Sequence, residues 1–134
     1  MAEKSFKLNI IEPEGVFYEG HAEMLELNTT EGEIGILPGH IPMTVIIKPG
    51  IVTIYEADGE EKKSVIHAGF VEILQDEVTV LAEIAEWPSE IDEARAEAAL
   101  SRAQERLQSK GENVDMARAE AAMLRALARI NVLR

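Results

Sequence analysis

Residues 91–107 read IDEARAEAALSRAQERL, and residues 114–130 repeat this stretch as VDMARAEAAMLRALARI, with ten of seventeen positions identical. Both copies are rich in alanine and carry arginines at matching positions, a composition that predicts two α-helices. The polar segment 108–113 separates them and contains Gly111, while Asn113 is predicted to cap the second helix. Two helices joined so tightly predict an antiparallel hairpin.

The segment AEWPS, residues 85–89, separates this repeat from the rest of the chain. Pro88 cannot extend a β-ladder or a helix interior, and Ser89 is predicted to cap the first helix. We therefore divide the chain into residues 1–88 and residues 89–134. The charge supports this division, because every arginine lies in the second unit, whereas the first holds 17 acidic and 5 basic groups and accounts for the net charge of −12.

Charge and composition exclude several classes of function. The acidic first unit repels phosphodiester backbones, so no nucleic-acid partner is expected. The chain has no cysteine and no basic-then-apolar run at its N-terminus, which indicates an intracellular protein without disulfides. The longest charge-free stretch, residues 34–47, is broken by Gly and Pro and is shorter than the ~20 apolar residues that span a bilayer. We expect no direct transmembrane segment.

Residues 1–88 are typical of an all-β sandwich or barrel, because short apolar runs of period two recur between Gly, Pro and acidic turns. The candidate strands are residues 5–11, 22–29, 43–48, 50–57, 62–67, 69–74 and 77–84. In the first of them every second residue from position 6 to position 10 is apolar, which gives the strand one apolar face. Asp58-Gly59 between two strands predicts a hairpin turn.

The predicted hairpin gathers charged residues at the end remote from its turn. With the turn near Gly111, Arg95 lies level with Ala126, and the other charged groups lie about one helical turn away. The residues grouped there are Glu86, Asp92, Arg95, Arg125 and Arg129. Three guanidiniums suit an anionic group such as phosphate. The alternative, which spacing alone favours, is that they are solvated helix-face charges paired with nearby acids.

The contact between the two helices is predicted to be weak, because an alanine methyl contributes only about 0.8 kcal/mol on burial. A ligand present at roughly a hundred times its Kd stabilises the form that binds it by about 2.7 kcal/mol. Ligand occupancy could therefore decide whether the hairpin stays closed. An ordinary rigid helix pair is the alternative.

No catalytic or metal site is predicted. His21, His40 and His67 are far apart in the sequence and lack clustered acids, and no nucleophile has a nearby base. His40 is expected to pack within the segment 31–43. Trp87 is expected to anchor the linker between the two units, residues 85–89.

Residues 31–43 read EGEIGILPGHIPM and hold three glycines and two prolines among apolar residues, which predicts a bent backbone path. With this motif and Gly69-Phe70-Val71-Glu72 downstream, the chain closely resembles the epsilon subunit of bacterial F-type ATP synthases over essentially its entire length. The resemblance implies an α+β fold, with a ten-stranded β-sandwich over residues 1–88 followed by an antiparallel two-helix hairpin over residues 89–134. It also implies a central-stalk subunit that is not an enzyme and has no catalytic residues.

The same resemblance implies the partners. The sandwich would bind the gamma subunit and the ring of c subunits, as a peripheral component at the cytoplasmic face of the bacterial cell membrane that couples proton-driven rotation to catalysis. The helices would either fold against the sandwich or extend along gamma and inhibit ATP hydrolysis. In the extended state, Arg118, Arg125 and Arg129 are the candidates for contact with the catalytic beta subunit.

Some bacterial members of the family bind ATP through a motif that this chain has as Ile91-Asp92-Glu93-Ala94-Arg95-Ala96. The resemblance implies that adenine and ribose are lined by Glu86, Ile91, Asp92 and Ala96, and that the phosphates are held by Arg95, Arg125 and Arg129. ATP would be a regulatory ligand, and no cofactor is required. The second copy of the repeat has Val114 at the first motif position. It has no acid in a position equivalent to Glu86, and it is assigned no site. The alternative is a purely structural stalk subunit with a fixed hairpin and no nucleotide site.

Overall fold

The computed structural model describes residues 4–109 and 115–134. Nine strands precede a short 3-10 helix and two α-helices in these residues. The strands are β1 Phe6–Glu12, β2 Gly15–Thr29, β3 Gly32–Ile36, β4 Met43–Ile47, β5 Gly50–Glu56, β6 Glu61–Ile66, β7 Gly69–Ile73, β8 Glu77–Ala82 and β9 Ala85–Glu86. The 3-10 helix is Pro88–Glu90, and the α-helices are α1 Glu93–Ser109 and α2 Met116–Val132.

The strands form a two-layered sandwich because β2 belongs to both layers. Its first half pairs with β1 as far as Ala22, and after a bulge between Ala22 and Met24 its second half pairs with β3 and β5. One layer runs β2 (first half), β1, β8, β7, β4, and the other runs β3, β2 (second half), β5, β6, β9. Counting the halves of β2 separately gives five strands per layer, which accounts for the ten strands implied by the resemblance.

Apolar side chains fill the space between the two layers. The largest that are fully buried there include Phe6, Leu8, Ile10, Leu25, Leu27, Ile36, Ile54, Ile66 and Ile73. Each such side chain contributes about 1.5 to 3 kcal/mol when it leaves water. None of the described residues of α1 or α2 belongs to this cluster. The sandwich therefore has a core of its own, separate from the hairpin.

The predicted strands all occur, but apart from the two-residue β9 the sequence also missed β3 and the first half of β2. Both are flanked or interrupted by glycines, which usually weaken a strand. Pairing with a neighbouring strand stabilises each of them, and this long-range contact is not visible in a local pattern. The predicted turn at Asp58-Gly59 is confirmed, with Gly59 at φ 95°.

The two helices form the predicted antiparallel hairpin. At the end of α2, Arg134 Nη2 lies 3.3 Å from carboxylate oxygens of Glu93 and Glu97 at the start of α1. The small residues that allow the close approach recur every two helical turns, like the seam of a coiled coil. They are Ala96 and Ala103 on α1, and Ala119 and Ala126 on α2, all buried. The helix that contacts the sandwich is α2, which packs on β5 and β6. No described helix is long and apolar enough to cross a membrane.

The predicted cap of the first helix was wrong, and an aspartate caps each helix. Asp92 rather than Ser89 caps α1, because its Oδ1 accepts a hydrogen bond from the backbone N–H three residues later at 3.1 Å, while Ser89 lies inside the 3-10 helix that Pro88 begins. Asp115 caps α2 through the same contact at 3.0 Å. The predicted cap Asn113 lies outside the described residues, as do Gly111 and Val114. The repeat therefore carries its own capping aspartate in each copy.

Gly69 at the start of β7 offers a test of the packing between β7 and β8. It has a φ of 137°, and a Cβ there would collide with the carbonyl oxygen of Leu81. Gly15 has almost the same φ, 138°, but open space around it. Backbone strain of about 1 to 3 kcal/mol is common to both positions. We therefore expect Gly69→Ala to lower the urea midpoint of unfolding more than Gly15→Ala does; equal midpoints would contradict this packing.

Candidate functional site

The sandwich, the linker and both helices meet at a cavity of about 450 Å³. The lining residues come from β9, the linker, α1 and α2, and are Glu86, Glu90, Ile91, Asp92, Arg95, Ala96, Ala99, Arg102 and Arg129. The cavity brings together every residue expected at a nucleotide site except Arg125. It exists because the hairpin folds back and places the end of α2 beside the start of α1.

Two arginines differ from the sequence prediction. Arg125 does not line the cavity, although it lies close enough to His67 to influence its charge. Arg102 lines the cavity and was missed. Its position seven residues after Arg95 puts it two turns along the same face of α1, a periodicity that could have identified it. Arg118 is exposed near the start of α2, at the end of the hairpin remote from the cavity.

The guanidiniums of the cavity are in different electrostatic states. Arg129 is paired, because its Nε donates to Glu86 Oε1 at 2.7 Å. Within residues 4–109 and 115–134, Arg95 and Arg102 form no salt bridge. The guanidiniums of Arg95 and Arg102 therefore line the cavity, and neither is in a salt bridge with a described residue. This arrangement suits a ligand with several negative charges.

Glu86 links the sandwich to the hairpin. The Oε1 atom that accepts from Arg129 also accepts from His67 Nε2 at 2.7 Å. Burial raises the pKa of Glu86, but the hydrogen bonds from Arg129 and His67 outweigh it and hold the pKa below its ordinary value. Burial lowers the pKa of His67, and the Arg129 and Arg125 cations lower it further against the effect of Glu86. At neutral pH the carboxylate is charged and the imidazole is neutral.

Trp87 fixes the point at which the chain leaves the sandwich. Its ring stacks on Phe17 with centroids 4.4 Å apart and meets Tyr18 edge-on at 6.4 Å. Its backbone N–H donates to Glu90 Oε1 at 3.0 Å. The prediction that Trp87 anchors the linker is confirmed.

Three carboxylates could hold a metal ion by geometry alone, those of Glu56, Asp58 and Glu60. Glu56 already accepts a hydrogen bond from Tyr18 at 2.6 Å and pairs with Lys62 at 3.1 Å. The other two are exposed in the turn between β5 and β6. The cluster is therefore explained by local contacts.

The outer face of one layer carries an apolar row. The strand register aligns Ile46, Phe70, Leu81, Ile11 and Val16 on β4, β7, β8, β1 and β2. Ile46, Phe70 and Val16 are 61%, 42% and 64% exposed. Apolar side chains that lie side by side on a surface mark an interaction site more often than isolated ones do.

The turn at residues 37–42 adds two exposed apolar side chains. Leu37 and Ile41 are 56% and 71% exposed. Gly39 holds the turn, with φ 81° and an N–H that donates to the carbonyl of Gln75 at 3.1 Å. His40 Nδ1 lies 2.8 Å from the carbonyl oxygen of Ile41. The bent path predicted for residues 31–43 is confirmed, and its apolar tip faces outward.

Two family models together match residues 5–134. The ATP synthase, Delta/Epsilon chain, beta-sandwich domain matches residues 5–88, and the long alpha-helix domain of the same family matches residues 89–134. The chain belongs to the ATP synthase delta/epsilon chain family. The ATP synthase epsilon chain of Bacillus subtilis is 46% identical over 129 residues, which cover 96% of this chain and 97% of the relative. That of Caldanaerobacter subterraneus is 45% identical over 108 residues, or 81% of this chain and 78% of the relative.

Solved structures share the fold. A chain of the Euglena gracilis mitochondrial ATP synthase structure of OSCP, F1 and c-ring superposes with a TM-score of 0.88 at 24% identity, covering 100% of this chain and 84% of that one. A chain of the Tetrahymena thermophila mitochondrial ATP synthase central stalk and c-ring gives a TM-score of 0.62 at 11% identity, with both chains fully covered. At these identities the likeness establishes the architecture of this delta/epsilon chain.

The link through Glu86 can be measured by a double-mutant cycle. Combining Glu86→Gln with Arg129→Ala should reveal a coupling of about 1 to 3 kcal/mol, because both side chains are mostly buried and share a charge-assisted hydrogen bond. The matched cycle at Glu97 and Arg134, which are exposed, should give less than about 1 kcal/mol. Unfolding in urea measures both, and equal couplings would contradict the structural role of Glu86.

Proposed function

We propose that this chain is a non-catalytic rotor subunit of an F-type ATP synthase, and that its hairpin binds ATP when folded and inhibits ATP hydrolysis when extended. The regulatory part of this proposal rests on the cavity between the linker and the two helices. Arg95 and Arg102 line this cavity and form no salt bridge within the described part of the chain. Family membership and the names of the relatives support the rotor part.

The exposed apolar surfaces support assembly with other subunits. The apolar row and the turn at residues 37–42 both belong to the sandwich, and neither is covered by the hairpin, which packs on β5 and β6. We assign these surfaces to the gamma subunit and the c-subunit ring. The chain then sits peripherally at the cytoplasmic face of the bacterial membrane and takes part in proton-driven ATP synthesis without entering the bilayer.

The cavity suits ATP in shape and charge. Ile91 and Ala96 provide an apolar wall for adenine, and the acids Glu86 and Asp92 can accept hydrogen bonds from ribose hydroxyls. The free guanidiniums of Arg95 and Arg102 and the fork of Arg129 then receive the phosphates. We therefore add Arg102 to the residues expected from the sequence. Arg125 does not line the cavity, and its charge acts on the neighbouring His67 instead.

Binding at this position closes the hairpin. The cavity draws residues from β9, α1 and α2, so a ligand that fills it binds the folded form and loses most of its contacts when α2 moves away. At roughly a hundred times its Kd such a ligand stabilises the folded form by about 2.7 kcal/mol. That magnitude is comparable to what the small buried methyls of the alanine seam contribute.

The extended state uses some of the same arginines. Arg129 is neutralised by Glu86 in the folded hairpin, and Arg125 is half-buried against the sandwich. When α2 leaves, both join Arg118 in a basic row that can contact an acidic segment of the catalytic beta subunit. The folded and inhibitory states are then mutually exclusive, because one guanidinium cannot serve both contacts.

A structural stalk subunit with a fixed hairpin is the second candidate. One observation favours it: the contact of Glu86 with His67 and Arg129 closes the hairpin without any ligand. ATP binding and its effect on inhibition distinguish the two candidates.

ATP affinity tests the cavity. We expect Arg95→Ala and Arg129→Ala each to weaken ATP binding by about 1.5 to 3 kcal/mol, or roughly ten- to hundredfold, because each removes a charge-assisted contact to phosphate. Arg118, the counterpart of Arg95 in the second repeat, lies outside the cavity, so Arg118→Ala should leave the affinity unchanged. Titration calorimetry on the full chain measures all three, and equal affinities in all variants would reject the site.

Truncation after Pro88 tests inhibition. The sandwich keeps its own core, so the truncated chain should still assemble with the other subunits, while ATP hydrolysis by the reconstituted complex should rise. Phe70→Glu in the full chain is the converse control, because it places a charge in the apolar row and should prevent assembly. Unchanged hydrolysis in an assembled, truncated complex would favour the purely structural subunit.

A further inference from the structure

His67 occupies an unusual position for a titratable side chain. It follows β6, is only 3% exposed, and touches Glu86 through Nε2 at 2.7 Å. Its other ring nitrogen, Nδ1, is buried and has no hydrogen-bond partner in the described part of the chain. An ionised carboxylate only accepts hydrogen bonds, so the Nε2 proton belongs to the imidazole and Nδ1 carries none. In this neutral tautomer the buried Nδ1 is only an acceptor, so no buried N–H is left without a partner there.

A second proton would be unfavourable there. Placed on Nδ1, it would become a buried donor without an acceptor, and the ring would gain a positive charge. The charged groups that face the ring are Glu86 from β9 and Arg125 and Arg129 from α2. Because two guanidiniums and only one carboxylate surround the ring, the local charge is positive and disfavours protonation of His67. Both guanidiniums belong to the helix that the hairpin brings to the sandwich.

We propose that protonation of His67 releases α2 from the sandwich, so that the docking of the hairpin is a pH-sensitive switch. When α2 leaves, the ring loses the two guanidiniums and gains access to water. The charged imidazole is then hydrated, and Glu86 remains available as its partner. The undocked form therefore binds the proton more tightly than the docked form does.

The direction of the pH effect follows from this difference. The pKa of His67 is lowered in the docked form and returns toward its ordinary value of about 6.5 in the undocked form. Docking is therefore fully stable above about pH 6.5 and weakens as the pH falls below it. One proton changes the ratio of undocked to docked chain by at most about tenfold per pH unit.

Glu86 responds in a separate pH range. Its pKa is lowered in the docked form, so its contribution to docking is lost only as the pH falls below the ordinary glutamate value of about 4.3. A response confined to the range between about pH 5 and pH 7 therefore does not come from Glu86. In the assembled enzyme, and resting on the proposed function, acid would favour the extended, inhibitory hairpin and so limit ATP hydrolysis.

The absence of cysteine from the chain allows a direct measurement. Cysteines introduced at the exposed positions Lys63 on β6 and Gln104 on α1 carry a donor and an acceptor dye. In ATP-free buffer, energy transfer in the full chain should be constant above about pH 7 and fall reversibly between about pH 6.5 and pH 5. A transfer efficiency that does not change across this range would overturn the proposal.

Two variants assign the response to one residue. His67→Gln keeps an N–H that can donate to Glu86 but cannot be protonated, so its transfer efficiency should be independent of pH. The matched control His21→Gln removes an exposed histidine of β2 and should respond as the parent chain does. A His67→Gln chain that still opens in acid would overturn the proposal.

Proton NMR of the histidine rings provides a second measurement that does not require a substitution at His67. Arg129→Gln removes one of the cations that face the ring, so the pKa of His67 should be higher in this variant than in the parent chain; an unchanged or lower pKa would contradict the proposed cause. Neither measurement uses nucleotide. A hairpin insensitive to acid in a chain that still binds ATP would reject the switch alone, whereas acid-dependent opening through His67 supports it whether or not ATP binds.

Discussion

One carboxylate oxygen accepts hydrogen bonds from both units of this chain, beside the packing of α2 on β5 and β6. Glu86 Oε1 accepts hydrogen bonds from His67 of the sandwich and from Arg129 of α2, each at 2.7 Å. The core of the sandwich contains none of the described helix residues, and the seam within the hairpin consists of alanines that bury little area. The position of α2, and with it the cavity, therefore depends strongly on whether the partly buried Glu86 keeps its hydrogen bonds to His67 and Arg129.

Both proposed forms of regulation act at this contact. The carboxylate, the buried imidazole and Arg129 meet there, and the neighbouring Trp87 holds the linker by stacking on Phe17. In the proposed function, a nucleotide would stabilise the folded hairpin by supplying anionic charge to Arg95 and Arg102. In the proposed switch, a proton on His67 would destabilise it by adding a cation beside two others. Both would act on the same two states of the hairpin, so their effects would be linked.

The sequence predicted much of the fold because its strongest signals are local. The repeat placed two helices and their small interface residues, and the motif at residues 31–43 placed a bend. Glycine-rich β3 and the first half of β2 were missed, since the strands that pair with them are distant in sequence. The predicted cap of α1 failed for a simpler reason: Pro88 starts a 3-10 turn, which delays α1 until after Asp92.

At the site, the sequence by itself determined the chemistry: the aspartate Asp92, arginines at helical spacing and the acid Glu86, grouped by the antiparallel return of the repeat. Only the tertiary structure decided which of these charges are neutralised. It pairs Arg129 with Glu86, leaves Arg95 and Arg102 facing the cavity, and brings the charge of Arg125 near His67. Helical periodicity fixes positions along a face, but whether a charge is paired depends on what another element brings against it. The position of buried His67 near two guanidiniums of α2 is likewise a long-range contact, which no local pattern encodes.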